Sequence, residues 1–290
     1  MSKTTAKKLI VCGGNGFLGS RICKYGVARG WDVTSISRSG EPKWAAVTAS
    51  SSPPSWSHKV SWERADIFQP STYAPLLTNA DYVVHSMGIL LEADYKGAIS
   101  GQESPIAGLR KAFSPDKGRN NPNPLERDEA DYKKPESEQQ LTYENMNRDS
   151  ALLLARAANE AGSEAFLYIS AAGGAPVLPA RYIETKREAE SLIASRFPKM
   201  RGIFVRAPFL YDSSRLFTVP MAAMTGVGAL FNGLTRGVLS DFLGAAGAKP
   251  LKVEAVARAA IEALETDARG PVEVPELEEL AEKAWRKGML

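Results

Sequence analysis

The sequence has few of the residues that metal sites and disulfide frameworks require. Its 290 residues include two cysteines, Cys12 and Cys23, and two histidines, His58 and His85. Their spacing fits no ligand pattern of a zinc site. We therefore expect no metal site, and we expect both cysteines to be small buried hydrophobic residues in a reducing compartment.

A large excess of charge of either sign is also missing. The chain has 36 Lys and Arg against 33 Asp and Glu, which gives a formal net charge of +3. So small an excess does not favour a polyanionic partner, and we expect no nucleic-acid binding. The hydrophobic share of 44% and the charged share of 24% are those of an ordinary soluble globular protein.

Several enzyme motifs are absent from the sequence. It contains no G-x-S-x-G nucleophile turn and no H-E-x-x-H zinc motif, and the segment GNGFLGSR lacks the lysine of a Walker phosphate loop. No apolar stretch precedes the first predicted strand near Lys7. We therefore expect neither a secretory signal nor a cleavable transit peptide.

Apolar runs rich in β-branched residues alternate with helix-period segments through the first two thirds of the chain. This pattern predicts strands at 8–12, 32–37, 60–65, 81–85, 165–170 and 202–205, and helices at 16–28, 143–161 and 182–196. Near-continuous apolar strands such as LIVC and YVVH are typical of a parallel sheet covered on both faces. The predicted fold class is α/β, a Rossmann-like doubly wound parallel sheet with a smaller C-terminal substrate or lid region.

We place the Rossmann-like domain, which would bind a ligand at its first strand-to-helix turn, at 1–212 and the C-terminal substrate-side region at 213–290. In the tail, the pattern predicts a strand at 250–253, a helix at 254–265, a strand at 272–274 and a last helix from Glu276. A proline-rich, charged insertion at 92–141 interrupts the first domain. Its composition is compatible with a flexible lid, a partner-binding insertion or plain disorder.

Residues 216–235 form a stretch of twenty residues without a charge. That length could span a bilayer, but Pro220 and three glycines make a poor spanning helix. Two interpretations remain open, ordinary core and an apolar substrate pocket or membrane-facing surface.

The most informative local motif is VCGGNGFLGSR, which follows the first predicted strand and opens the first predicted helix. Gly13 would turn the chain, Gly16 would let the backbone approach a pyrophosphate, and Gly19 would allow close packing of helix on strand. The helix N-terminus would hold the phosphates. The same predicted phosphate-binding segment includes Asn15, Phe17 and Leu18. The alternative is a tight turn without a ligand.

Cofactor choice is predicted from the end of the second strand, which reads Ser37-Arg38-Ser39. An NAD-selective fold places a carboxylate there, to accept the ribose 2′-hydroxyl. One guanidinium and two hydroxyls suit a 2′-phosphate instead, so we expect NADPH or NADP⁺ rather than NAD. The alternative is that Arg38 is a solvated loop residue.

Two further turns lie at the carboxyl ends of predicted strands, where ligands bind in this fold. Asp66 and Ile67 would lie beside the adenine. The segment Ser86-Met87-Gly88 would lie along the ribose side of the cofactor. Simple turn chemistry is the alternative for both.

A second group of residues points to proton transfer. Tyr182 and Lys186 are four apart on a predicted helix and share a face, and Ser170 ends the preceding strand. An ammonium beside a phenol would lower its pKa from about 10 and make Tyr182 an acid/base near neutral pH. Ser170 could then hold a substrate carbonyl. Alternatively, Tyr182 and Lys186 are only a surface pair.

Together these residues resemble the short-chain dehydrogenase/reductases, in their extended and atypical branch. The resemblance extends along nearly the whole chain. It includes Asn147 in YENMNRDSALLLARAA, the segment VRAPFLYD and the segment PLKVEAVARAAIEALE. Four segments are more narrowly similar to fungal mitochondrial proteins associated with ubiquinone (coenzyme Q) biosynthesis. These segments are GGNGFLGSRICKYGV, SISRSG, VVHSMGILLE and YIETKREAE. The NADPH-binding accessory subunit of respiratory Complex I is a more distant resemblance.

The resemblance implies an NADP(H)-binding protein on the matrix side of the mitochondrial inner membrane, peripherally attached, with proteins of the coenzyme Q complex as partners. It implies that Asn147 supports a water relay or a substrate contact, and that Arg206, Ala207 and Pro208 flank the nicotinamide. Family membership leaves catalysis open. The expected function is an oxidoreductase that acts on or regulates a lipophilic quinone precursor. The alternatives are a non-catalytic, NADPH-bound structural or regulatory subunit and, disfavoured by the apolar stretch, a sugar-nucleotide epimerase or dehydratase.

Overall fold

The computed structural model describes residues 6–48, 50–88, 142–173, 180–212 and 249–289. The predicted insertion at 92–141 and the charge-free stretch at 216–235 lie outside the described residues. The boundary that we place between two domains at residue 212 therefore stays a prediction.

Within the described residues the chain forms a main sheet, a small second sheet and helices that cover the main sheet. The strands are β1 (Lys8–Cys12), β2 (Asp32–Ser37), β3 (Val60–Arg64), β4 (Tyr82–His85), β5 (Ala165–Ala171), β6 (Arg201–Ala207), β7 (Leu210–Tyr211), β8 (Leu251–Lys252) and β9 (Gly270–Val272). The helices are α1 (Phe17–Ala28), α2 (Trp44–Val47), α3 (Ser150–Glu160), α4 (Ala180–Arg196), α5 (Val253–Glu265) and α6 (Val274–Lys287). A π-helical turn (Glu144–Asp149) leads into α3, and short 3₁₀ helices span Ser57–Lys59, Pro70–Thr72 and Ala74–Leu77.

The main sheet is parallel throughout and has the strand order β3-β2-β1-β4-β5-β6-β9. The order reverses between β1 and β4, where Cys12 lies opposite His85. A crevice forms at such a switch point, outside the carboxyl ends of the strands. The predicted doubly wound parallel fold is confirmed, and the site belongs at this edge of the sheet.

The strands form because their apolar residues are buried on both faces, as a parallel sheet requires. Leu9, Ile10 and Val11 of β1 have no exposed surface. One face packs against α1, α5 and α6, and the other against α3 and α4. Sequence periodicity therefore located the strands of the first two thirds to within two residues, because burial on both faces leaves a continuous apolar signal.

The tail differs from the predicted pattern in two places. The last strand begins at Gly270 rather than at residue 272, and it adds to β6 as the seventh strand of the main sheet. Helix α6 begins at Val274 rather than at Glu276, because Pro275 is tolerated in the first turn of a helix. Among the described helices, none has the length and apolarity needed to cross a bilayer.

A buried carboxylate joins the three helices on one face of the sheet. Glu262 of α5 has no exposed surface and pairs with Arg29 at the end of α1 at 2.9 Å. It also pairs with Lys287 and Lys283 of α6, at 2.6 and 3.4 Å. Burial alone would raise the pKa of Glu262, but the hydrogen bonds from Lys287 and Arg29 outweigh it and hold the pKa below its usual range.

We expect Glu262→Gln to lower the free energy of unfolding at pH 7 by about 1–3 kcal/mol, because three cations lose a charged acceptor. A lowered folded-state pKa contributes stability above the unfolded value of about 4.3, and that contribution is lost as the pH falls through the folded-state pKa. The difference between wild type and variant should therefore shrink in acid. Urea unfolding at pH 7 and at pH 3 measures both effects.

Glu282→Gln is the matched control, since Glu282 forms an exposed pair with Arg286 on the same helix. Such surface pairs contribute about 0–1 kcal/mol. An equal effect of the two substitutions at pH 7 would contradict the role of Glu262.

Candidate functional site

The loop between β1 and α1 has the geometry that its glycines predict. Gly13 has a φ of +84°, and its N–H donates to the Ile36 carbonyl of β2 at 2.9 Å. Gly16 precedes α1 in an extended conformation and donates its N–H to the Gly13 carbonyl at 2.9 Å. The chain therefore turns at Gly13, as expected, and the loop is tied to β2.

The other two glycines are required by close packing. A Cβ on Gly19 would lie 2.2 Å from the Gly13 carbonyl oxygen, so only glycine lets α1 approach β1 this closely. A Cβ on Gly14 would lie 2.4 Å from Ser35 Oγ and 2.8 Å from Cys23 Sγ. Gly14 was missed because the motif spacing does not use it, although the Gly-Gly doublet marks it.

Helix α1 offers its N-terminus to the same loop. The helix has no side-chain cap and no acidic residue in its first turn. The Leu18 side chain packs into the core and the Phe17 side chain packs against it. At these two positions of the predicted binding segment, a ligand could therefore contact only the backbone. An uncapped, acid-free N-terminus has N–H groups and a positive dipole end suited to a phosphate.

A cleft of about 420 Å³ lies above the carboxyl ends of β1, β2 and β3. It is lined by Cys12, Gly13, Asn15, Ile36, Ser37, Arg38, Ser39, Ala65, Ile67 and Met87. Seven of these are predicted cofactor-binding residues, and the structure brings them together. The sequence analysis did not predict Cys12, Ile36 and Ala65 as lining residues. They line the cleft because they lie at or just after the ends of strands, and no sequence motif marks that position.

The polar rim of the cleft lies at the end of β2. Arg38 and Ser39 are exposed, and Asn15 Nδ2 donates to Ser39 Oγ at 2.8 Å. Ser37 is buried, and its hydroxyl donates to the Gly40 carbonyl at 2.9 Å. No carboxylate is among the residues that line this cleft. Among the residues that line the cleft, Arg38 is therefore an exposed cation, Ser39 shares its hydroxyl with the Asn15 amide, and the Ser37 hydroxyl holds the loop.

The walls of the cleft are apolar. Ile67 is buried, and Met87 lies against Cys12 with their sulfur atoms 3.2 Å apart. Asp66 accepts the N–H of Phe68 on its own carboxylate at 3.1 Å, which is the turn chemistry considered above. Ser86 ties its backbone N–H to the Cys12 carbonyl. Burial raises the pKa of the Cys12 thiol well above its usual range, so it stays protonated.

At the other end of the site, Gly88 brings two predicted catalytic residues together. Its φ is +153°, and a Cβ there would lie 2.9 Å from Asn147 Oδ1 and 3.6 Å from Lys186 Nζ. Asn147 is fully buried and Lys186 nearly so. Only glycine fits between an amide and an ammonium at this point.

Asn147 lies in the π-helical turn that precedes α3. The phenol of Tyr168 donates to the Asn147 carbonyl at 2.6 Å. Two ion pairs hold the turn against α4, Arg181 with Glu144 at 2.7 Å and Arg148 with Glu188 at 3.1 Å. The predicted helix at 143–161 therefore contains an irregular first part, a feature that is frequent at functional sites.

Tyr182 and Lys186 share a face of α4, as their spacing predicts, but their electrostatics differ from the expectation. Lys186 Nζ lies 5.6 Å from the centroid of the Tyr182 ring and donates to the Ile169 carbonyl at 2.9 Å. Burial raises the pKa of Tyr182 to about 12 and lowers the pKa of Lys186 to about 7. The prediction of a lowered phenol pKa is wrong for this arrangement, because burial raises the pKa and the neighbouring Tyr143 raises it further.

Ser170 lies in an ion-pair cluster farther along α4. Its hydroxyl donates to the buried carboxylate of Glu190 and accepts from Arg187 at 3.0 Å. Glu190 also pairs with Arg206 of β6, directly before the buried residues Ala207 and Pro208. The hydroxyl is thus used within the protein, and its role in holding a substrate carbonyl stays a prediction, as does contact of Ala207 and Pro208 with nicotinamide.

His85 was not predicted as part of the site. The side chain is fully buried at the end of β4, with its ring centroid 5.4 Å from that of Tyr168. Its Nε2 lies 2.9 Å from the hydroxyl of Ser150, which itself donates to the Met146 carbonyl. The hydroxyl proton is therefore in use, so Nε2 must donate. Burial and the nearby Lys186 lower the pKa of His85 to about 3, which makes it neutral.

Comparison with known proteins agrees with this fold. A model of the family described as NAD dependent epimerase/dehydratase matches residues 9–95. UDP-N-acetylglucosamine 4-epimerase from Methanobrevibacter ruminantium superposes with a TM-score of 0.54 at 16% identity, over 93% of this chain and 76% of that one. The Bordetella bronchiseptica enzyme WbmF, solved in complex with NAD⁺, gives 0.52 at 15% identity, over 99% of this chain and 80% of the other. Identities this low support the fold alone.

One relative is considerably more similar in sequence. MIOREX complex component 2 of Saccharomyces cerevisiae is 40% identical over 222 residues, which cover 72% of this chain and 74% of the relative. An identity of this size over this share of both proteins shows that the chain, with its NAD(P)-binding Rossmann fold, belongs to the family of yeast MIOREX complex component 2.

Proposed function

We propose that the chain binds NADP(H) in the cleft above β1, β2 and β3 and works as an oxidoreductase of the short-chain type. The observation that carries the proposal is the cleft itself, which combines the glycine loop with an exposed Arg38 and contains no lining carboxylate. A carboxylate at this rim would repel a 2′-phosphate, whereas a guanidinium binds one with paired hydrogen bonds.

The residues present fit such a dinucleotide part by part. The apolar wall at Ile67 suits an adenine ring, and Met87 suits the ribose side. The loop from Gly13 to Gly19 and the uncapped N-terminus of α1 suit the pyrophosphate. Arg38 and Ser39 suit the 2′-phosphate, and the volume of about 420 Å³ lies within the usual range of ligand clefts.

When bound, the nicotinamide supplies or accepts a hydride. For reduction, Tyr182 would donate its phenolic proton to the carbonyl oxygen of the substrate while the carbonyl carbon gains the hydride. With a pKa of about 12 the phenol carries that proton at neutral pH. Lys186, with a pKa of about 7, can return a proton to the phenolate, and buried Asn147 can orient the polar groups beside Gly88.

The proposed setting is the matrix side of the mitochondrial inner membrane, with a lipophilic quinone precursor as substrate. The resemblance of four sequence segments to fungal ubiquinone-biosynthesis proteins supports both. The proposed partners are proteins of the coenzyme Q complex. The same resemblance supports this proposal, and the yeast relative is named as a component of a complex.

A second candidate function is a non-catalytic, NADPH-bound subunit that stabilises or regulates an assembly. The geometry at Ser170 favours it, because Glu190 and Arg187 use the hydroxyl that would hold a substrate carbonyl. In this case Tyr182 and Lys186 would have only a structural role, and the cofactor would be a fixed part of the fold.

Calorimetric titration of the purified protein should give tighter binding of NADPH than of NADH. We expect Arg38→Gln to weaken NADPH binding by about ten- to a hundredfold, the effect of one charge-assisted hydrogen bond of about 1.5–3 kcal/mol, and to leave NADH within about twofold. Arg38→Lys keeps the charge and should retain part of the preference. Absence of binding of either nucleotide to the wild type would refute the proposed cofactor site.

Tyr182→Phe tests the chemistry separately from binding. With a prenylated benzoquinone as the probe and NADPH oxidation as the readout, we expect kcat to fall by about 10²–10⁴-fold, the contribution of a general acid. The dissociation constant of NADPH should change by less than about twofold, since the lost hydroxyl is not a phosphate ligand. Tyr82→Phe, at the far end of β4, is the control and should leave kcat unchanged.

If the wild type binds NADPH but oxidises it with no quinone or ring ketone, the oxidoreductase proposal fails. The non-catalytic candidate then remains, with the cofactor site intact.

A further inference from the structure

Arg64 ends β3 beside the rim of the cofactor cleft. β3 is the edge strand of the main sheet and pairs in parallel with β2, with Arg64 opposite Ser37. Its side chain is exposed. The residue therefore occupies, on the outer strand, the position next to the Ser37-Arg38-Ser39 segment.

The loop that carries Arg38 rests directly on Arg64. Gly40 has a φ of +73°, and a Cβ there would lie 3.3 Å from Arg64 Cγ and 3.5 Å from Arg64 Nε. The Ser37 hydroxyl fixes the Gly40 carbonyl at 2.9 Å, which keeps the loop in this position. Arg64 and the loop that carries Arg38 thus lie together at one corner of the sheet, although the two arginines are 26 positions apart in sequence.

Neither guanidinium is neutralised by its surroundings. In the part of the chain that the structure describes, neither Arg38 nor Arg64 has an ion-pair partner. The carboxylate of Glu41 accepts from Trp44 Nε1 at 2.9 Å and so is engaged with α2. Glu63 precedes Arg64 on β3, so its side chain points to the opposite face of the sheet. Two uncompensated like charges at one rim favour a doubly charged anion between them.

We propose that Arg64 is a second specificity-determining residue, which together with Arg38 binds the 2′-phosphate of NADP(H). The proposal rests on the proposed function and deepens it. A dianionic phosphate can accept two parallel hydrogen bonds from each guanidinium. Holding the phosphate from two strands, β2 and β3, fixes its position more tightly than one loop residue can.

The test is calorimetric titration of the full chain and of Arg64→Gln with NADPH and NADH. We expect Arg64→Gln to weaken NADPH binding by about tenfold and to change NADH binding by less than about twofold, since only NADPH carries the extra phosphate. Adenosine 2′,5′-bisphosphate against 5′-AMP should give the same contrast without any contribution from the nicotinamide. Added salt should reduce the NADPH preference more in the wild type than in the variant.

Two further variants separate charge from structure. Arg64→Lys keeps the positive charge on a similar stem and should retain more of the preference than Arg64→Gln. Arg269→Gln is the matched control, because this exposed arginine precedes β9 at the opposite edge of the sheet. It should leave both nucleotides unaffected.

The failures of the two proposals are distinguishable. If Arg38→Gln removes the NADPH preference while Arg64→Gln leaves it intact, Arg64 has no such role and the cofactor proposal stands. If Arg64→Gln weakens NADPH and NADH equally, Arg64 only supports the loop at Gly40, and the inference is again wrong. If the wild type binds neither nucleotide, the proposed function fails and this inference fails with it.

Discussion

The approach of α1 to β1 is the constraint on which the remaining structure depends. The first turn of the helix lies against the Gly13 carbonyl so closely that a single Cβ on Gly19 would collide with it at 2.2 Å. This contact aims the helix N-terminus at the cleft and fixes the other end of the helix. There Arg29 reaches buried Glu262, and through Glu262 the helices α5 and α6 are joined to the same face. Gly19 therefore places the helix that contributes both to the cleft and, through Arg29, to the ion pairs of this layer.

At the opposite end of the site, burial rather than backbone geometry sets the protonation of the side chains. Lys186 and Tyr182 are neighbours on α4, and burial shifts the pKa of each toward its neutral form, upward for the phenol and downward for the amine. His85 is neutral for the same reason. The Tyr182 phenol therefore keeps its proton at neutral pH.

Sequence reasoning located what depends on local pattern and missed what depends on contact between distant segments. The strands and the roles of Gly13 and Gly19 follow from burial periodicity and a fixed spacing, so they were predictable. The π-helical turn at Asn147 was not, because the Tyr168 phenol and two ion pairs on α4 hold it. Arg64 was missed for the same reason, since its proximity to Gly40 exists only once β2 and β3 have paired.

Ser170 shows why cofactor binding and chemistry are separable in this fold. For its hydroxyl to hold a substrate, it must stop donating to Glu190, and loss of a hydrogen bond to a buried charged group costs about 1.5–3 kcal/mol. Arg187 and Arg206 remain paired with Glu190, so the cluster would survive, but substrate binding must supply that energy. The proposed cofactor cleft has no such cost, because the groups proposed to bind the cofactor there are backbone N–H groups and the exposed Arg38. Binding at the proposed cofactor site therefore does not depend on whether a substrate recruits Ser170.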